Sequence, residues 1–124
     1  MKRAELANIR SILVKLLRDA EQPFRRREEI AVENAPDALD RVQGAEAREL
    51  AIRRIESDTH RLQSLRMALE RVDDGTYGSC MRCDEPIGAK RLAAIPWAAH
   101  CVRCQDVVDQ RRRYFVGEAL LSSR

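Results

Sequence analysis

The stretch Gly75-Thr76-Tyr77-Gly78-Ser79-Cys80-Met81-Arg82-Cys83 is answered, seventeen residues later, by Cys101-Val102-Arg103-Cys104, and together they hold every cysteine of a 124-residue chain. A Cys-x-x-Cys pair folds into a tight knuckle whose two thiolates fit adjacent corners of a tetrahedron. Two such pairs supply the four ligands that zinc prefers. The separation of the pairs lies within the range of zinc sites. Four thiolates leave no open coordination position, so the zinc ion expected at Cys80, Cys83, Cys101 and Cys104 is structural, and its binding energy is folding energy. A disulfide framework would need an oxidising compartment, and a dithiol redox pair would need a neighbouring βαβ pattern that the sequence lacks. His100 adjoins Cys101. It is expected to be a bystander, because four thiols already stand in two matched pairs. Trp97, which follows Pro96, is expected to cover the knuckles.

Upstream, Asp73-Asp74-Gly75-Thr76-Tyr77-Gly78 ends a helix expected over residues 40–73. Leu62, Leu65, Leu69 and Val72 recur there at three- and four-residue steps, and Ile55 and Ile52 extend the same face backwards. A first helix is expected over residues 4–33, with Leu6, Ile9, Leu13, Leu16 and Ala20 as its seam. Pro23 should interrupt and kink it before Phe24 and Ile30 continue the seam. Asn34-Ala35-Pro36-Asp37 reads as a stop followed by a turn. So short a connection forces the two helices into an antiparallel hairpin. His60 falls mid-helix on the solvated or seam-flanking side. Residues 79–104 lack helical periodicity, and a third helix should run from Gln105 to Leu121. The fold class is therefore mainly α: a long antiparallel helical hairpin, or coiled coil, plus a small four-cysteine zinc-finger domain with a C-terminal helix. Residues 1–74 form the hairpin arm with its tip at 34–42, and residues 75–124 form the finger and final helix.

Composition agrees with a rod more than with a globule. Charged residues make up 35% of the chain and aromatics only 4%, so a large core is excluded and a staple or partner helix is needed. The 23 basic and 20 acidic residues nearly cancel, leaving a net charge of +3, which argues against a nucleic-acid-binding surface. Asp84, Glu85, Asp106 and Asp109 around the cysteines argue the same way. Arg10, Lys15 and Arg18 break every apolar run near the start, so no signal peptide or membrane span is expected, and a cytoplasmic location follows. The runs Arg25-Arg26-Arg27 and Arg111-Arg112-Arg113 read as solvated helix faces. No nucleophile–base arrangement, phosphate loop or open metal site is present, so an enzyme is not expected.

The cysteine segments, together with Pro86-Ile87-Gly88, Arg91-Leu92, Ala94 and Pro96, resemble the zinc-finger pattern of the DksA/TraR family of bacterial transcription regulators. Asp84 stands where that family usually has Gly, and Asp tolerates the left-handed backbone such a knuckle needs. Asn34-Ala35-Pro36-Asp37-Ala38-Leu39-Asp40-Arg41-Val42 resembles the hairpin tip of the DksA branch. The chain begins close to its first helix, so the resemblance implies a member without the longer N-terminal extension of that branch. It also implies a monomeric factor that binds RNA polymerase through its secondary channel, without sequence-specific DNA binding. The acidic tip, Asp37 and Asp40 with Val42 in place of a small residue, would then lie near the catalytic magnesium. Local sequence alone favours Asp37 as a turn residue and Asp40 as a helix N-cap; the resemblance reverses that preference, and both roles can coexist. The positions that match the family's guanosine tetraphosphate contacts are the uncharged Ser64, Ile95 and Gln105, which implies a weak or absent response to that nucleotide. Two other readings of the residues remain: a nucleic-acid-binding zinc finger, and a coiled-coil scaffold that dimerises through its seam.

Overall fold

The computed structural model describes the backbone of residues 1–33 and 44–122 and the side chains of residues 1–28 and 44–113. Helix α1 spans Arg3–Glu33 and α2 spans Ala45–Asp74. Ion pairs fix their direction. Arg10 meets Asp73 at 3.2 Å, Arg66 approaches Glu21 at 4.0 Å, and Arg27 meets Asp58 at 2.6 Å, so partners descend α2 as they climb α1. The hairpin is antiparallel, and each helix is about 45 Å long at 1.5 Å per residue.

The seam buries its side chains at the base. Leu13 and Ala68 are fully buried and Leu65 nearly so. Leu6, Ile9, Leu16, Leu17, Ala20, Leu69 and Val72 pack around them. Higher up the expectation is corrected: Ile52 and Ile55 are 55% and 42% exposed. There Arg27 replaces apolar contact, stacking 5.2 Å above the Phe24 ring and bonding Asp58. Ile30 lies outside the residues whose side chains are described.

Pro23 lies inside α1 and does not interrupt it. Proline removes one N–H, and the carbonyl left without it belongs to the exposed Asp19, where water can serve. Gly44, at φ 86°, is outside helical geometry, so α2 starts five residues later than expected.

At the other end of α2, Gly75 takes the left-handed conformation at φ 83°, the usual way for a helix to close its last carbonyls. Thr76 and Tyr77 donate their backbone N–H groups to the Arg71 carbonyl, at 2.9 and 3.1 Å. The Asp74 carboxylate also accepts from the Thr76 N–H. This turn delivers Tyr77 into the hairpin core, where its hydroxyl donates to the Pro96 carbonyl at 2.7 Å. A short helix α3, Ala89–Ala94, follows, and α4 spans Val102–Ser122. The sequence reading missed α3, because six residues are too few to show a helical period. It also set the start of α4 three residues late.

Candidate metal centre

The finger begins where Ser79 and Pro86 pair as an isolated antiparallel bridge. Backbone bonds tighten the first knuckle: Cys80 N–H to the Glu85 carbonyl at 2.8 Å, Asp84 N–H to the Cys80 carbonyl at 2.9 Å, and Ile87 N–H to the Gly78 carbonyl at 2.7 Å. The knuckle needs one left-handed residue, and Asp84 supplies it at φ 63°. Met81 N–H bonds the Ala99 carbonyl at 2.9 Å, which ties this knuckle to the approach of the second.

These turns bring the sulfurs of Cys80, Cys83, Cys101 and Cys104 within 4.8 Å of one another. Cys83 Sγ and Cys101 Sγ are 3.9 Å apart, far beyond a disulfide bond, and all four cysteines are free. Tetrahedral zinc with bonds of about 2.3 Å sets its ligand sulfurs about 3.8 Å apart, so the spacing fits. The electrostatics fit as well. For the Cys80 thiol burial is the largest influence and pushes it up. Hydrogen bonds from the backbone of Cys101, Cys83 and Arg82 and from the Cys83 thiol outweigh burial and bring it down to about 6. The Cys83 thiol is drawn down by the Glu85 backbone N–H, yet desolvation and the sulfurs of Cys80, Cys104 and Cys101 push it up to about 12. Cys104 is drawn down most by Arg82 and is still raised, by desolvation and the Cys101 and Cys80 sulfurs. Four sulfurs this close cannot all ionise without a cation among them. The group is a closed four-thiolate site for one structural Zn2+.

Cys80, Cys104 and Ile87 form a small core of their own, with Leu92 and Cys101 against it. Leu92 also packs on the hairpin core, so the two share a side chain. Trp97 corrects another expectation. It packs against the hairpin core, under the Arg61 guanidinium at 5.3 Å, and does not cover the knuckles. His100 is a bystander to the cluster as expected, its backbone carbonyl accepting from Arg91 Nε at 2.9 Å. His60 is exposed.

The sequence reading overlooked Arg71. It is only 6% exposed, with Nη2 donating to the Ala98 carbonyl at 3.4 Å and Nη1 reaching Met81 Sδ at 3.7 Å. It thereby joins the last turn of α2 to both sides of the finger. Its signal was available: a cation in the last turn of a helix, three residues after a buried seam position. Asp37, Asp40 and Val42 lie outside the described residues.

Fold and site together define a zinc-stapled helical hairpin: an antiparallel pair of long helices on a four-cysteine finger. Residues 75–110 match the prokaryotic dksA/traR C4-type zinc finger. The RNA polymerase-binding transcription factor DksA of Caulobacter vibrioides is 37% identical over 81 residues, which are 65% of this chain and 57% of that protein. The chain thus spans less than two thirds of that relative's length. DksA of Escherichia coli K12 is 29% identical over 120 residues, 94% of this chain and 80% of the relative. The solved structure of DksA2 from Pseudomonas aeruginosa superposes with a TM-score of 0.68 at 27% identity, covering 90% of this chain and 88% of that one. Residues 75–110 are thus a dksA/traR-type zinc finger, and the chain is DksA-like in sequence and fold. Among the described residues, no helix is long and apolar enough to cross a membrane.

Proposed function

We propose that this chain is a transcription regulator that binds RNA polymerase in the cytoplasm as a monomer, with the finger and final helix, residues 75–124, docking at the rim of the secondary channel. The hairpin, residues 1–74, reaches inward. The observation that carries this reading is the 81-residue match to a protein named for binding RNA polymerase. Support comes from the matched pattern at Asp37 and Asp40. Two carboxylates at the end of a stiff arm are suited to a basic, magnesium-containing cavity, where they alter the stability of promoter complexes. Val42 sets the fit of that tip. The protein acts by placement and carries out no reaction of its own. Acidic Asp84, Glu85 and Asp106 are exposed beside the finger, which favours a protein partner over nucleic acid.

The response to guanosine tetraphosphate is weak or absent in this reading. Ser64, Ile95 and Gln105 carry no charge, and the Gln105 amide is engaged with Asp109 at 3.0 Å. A polyphosphate would find no charge-assisted hydrogen bond at those positions.

The test pairs binding with effect. Zinc-loaded protein should bind core RNA polymerase and change promoter-complex lifetime, while the Asp37→Asn/Asp40→Asn variant should bind as well and leave lifetime unchanged. Absence of binding at low-micromolar concentration would overturn the polymerase reading. Strong synergy with the nucleotide would overturn the unresponsive one.

A further inference from the structure

The four ligands of the metal centre are unequally covered. Cys80 and Cys104 are 1% and 4% exposed, whereas Cys83 lies open to solvent. A zinc ion held by four thiolates carries a net double negative charge, and groups around such a site orient its ligands and set its lability. Among the described residues, one side-chain cation reaches a ligand. Arg82 Nη1 donates to Cys104 Sγ at 3.6 Å, across 22 residues of sequence. Arg82 belongs to the first knuckle and Cys104 ends the second, so the contact closes the centre from one side to the other. Among the described residues, Arg71 is committed to Ala98 and Met81, and Arg91 to His100.

We infer that Arg82 is a positioning residue for the zinc centre: its guanidinium holds the Cys104 thiolate in place across the site and offsets part of the site's negative charge. The contact leaves Cys83, exposed and without a side-chain cation among the described residues, as the corner where an external thiol reagent begins. Removing Arg82 frees the second knuckle to release the metal. Arg suits the role better than Lys, because its planar fork keeps a donor aimed at the sulfur while its charge stays in place.

The experiment uses the full zinc-loaded chain with Arg82→Gln and Arg82→Lys beside the wild type. Zinc transfer to an excess of a chromogenic chelator should be about tenfold faster in Arg82→Gln, within the range seen when a group supporting a metal ligand is removed. Arg82→Lys should recover part of the difference. N-ethylmaleimide, whose alkene carbon bonds a thiolate sulfur while the adjacent carbon takes a proton from water, should mark Cys83 first in the wild type. In Arg82→Gln it should mark Cys104 as well. Loading with Co2+ gives a readout that loose folding does not imitate: loss of an N–H···S bond should shift the sulfur-to-cobalt band to lower energy. Equal transfer rates in wild type and Arg82→Gln would overturn the inference. So would faster transfer in Arg82→Gln with the cobalt band unmoved, which would reduce the contact to general support of the fold.

Discussion

Arg71 carries a charge into the base of the hairpin, and burial lowers its affinity for the proton despite the neighbouring Tyr77, Asp74 and Glu70. Its Nε finds no partner among the described residues. The two contacts it does make are the direct link from α2 to Ala98 and Met81. Arg71→Ala should therefore destabilise by about 2–3 kcal/mol, the cost of a buried hydrogen-bonded group and its orphaned acceptor, read by urea unfolding of the zinc-loaded protein. Tyr77 gives a pH prediction. Burial raises its hydroxyl above the usual 10, with Arg71 opposing. A raised folded value means stability is intact below about pH 10 and falls as pH climbs through the folded value. Melting temperatures from pH 8 to 11 should show this decline, and Tyr77→Phe should flatten it. Asp84 tests backbone conformation. At its positive φ, Asp84→Gly should be neutral or slightly stabilising, and Asp84→Val should cost about 1–2 kcal/mol. The tolerance of Asp there could be read from residue type, since few side chains accept that region. Arg71 was harder to read: its place in the last turn of α2 marks a helix end, but charged residues are seldom buried and that place alone does not say that this one is.

The two long helices were legible from apolar spacing, since thirty residues give many turns over which a period declares itself. Their interior was less so. Spacing alone treats Ile52 and Ile55 as equal to Leu62 and Leu65, yet only the latter pair is buried, because the finger adds a third wall at the base. Leu65→Ala should cost about 2–5 kcal/mol, whereas Ile52→Ala should cost less than about 1 kcal/mol. Equal losses in chemical denaturation would mean that the upper seam is closed by contacts that the exposure of Ile52 conceals. Trp97 shows the same limit from the other direction. Its neighbours in sequence are the knuckles, while its neighbours in space are Leu65 and Arg61, and only the path of the chain through α3 decides between them.

For the whole molecule, the cysteine spacing made the metal centre readable before any coordinates, because two rigid knuckles restrict the geometry so strongly. The joining of finger to hairpin was not readable, since Leu92, Tyr77 and Arg71 come from three separate segments. The joining has a thermodynamic consequence. Ligand loss should weaken the hairpin base as well as the finger. Adding a strong chelator, or replacing Cys80 with Ser, should lower the melting temperature of the helical circular-dichroism signal and not merely remove finger structure. An unchanged helical transition would show that hairpin and finger unfold independently.

Leu92 sits in both small cores, so the finger is the fulcrum on which the hairpin rests. A helix of about 45 Å turns a tilt of only about 1° at that pivot into a displacement of about 0.8 Å at its far end. Repacking one leucine side chain near the metal is thus magnified along the lever, and the distant end can be aimed by chemistry that never touches it.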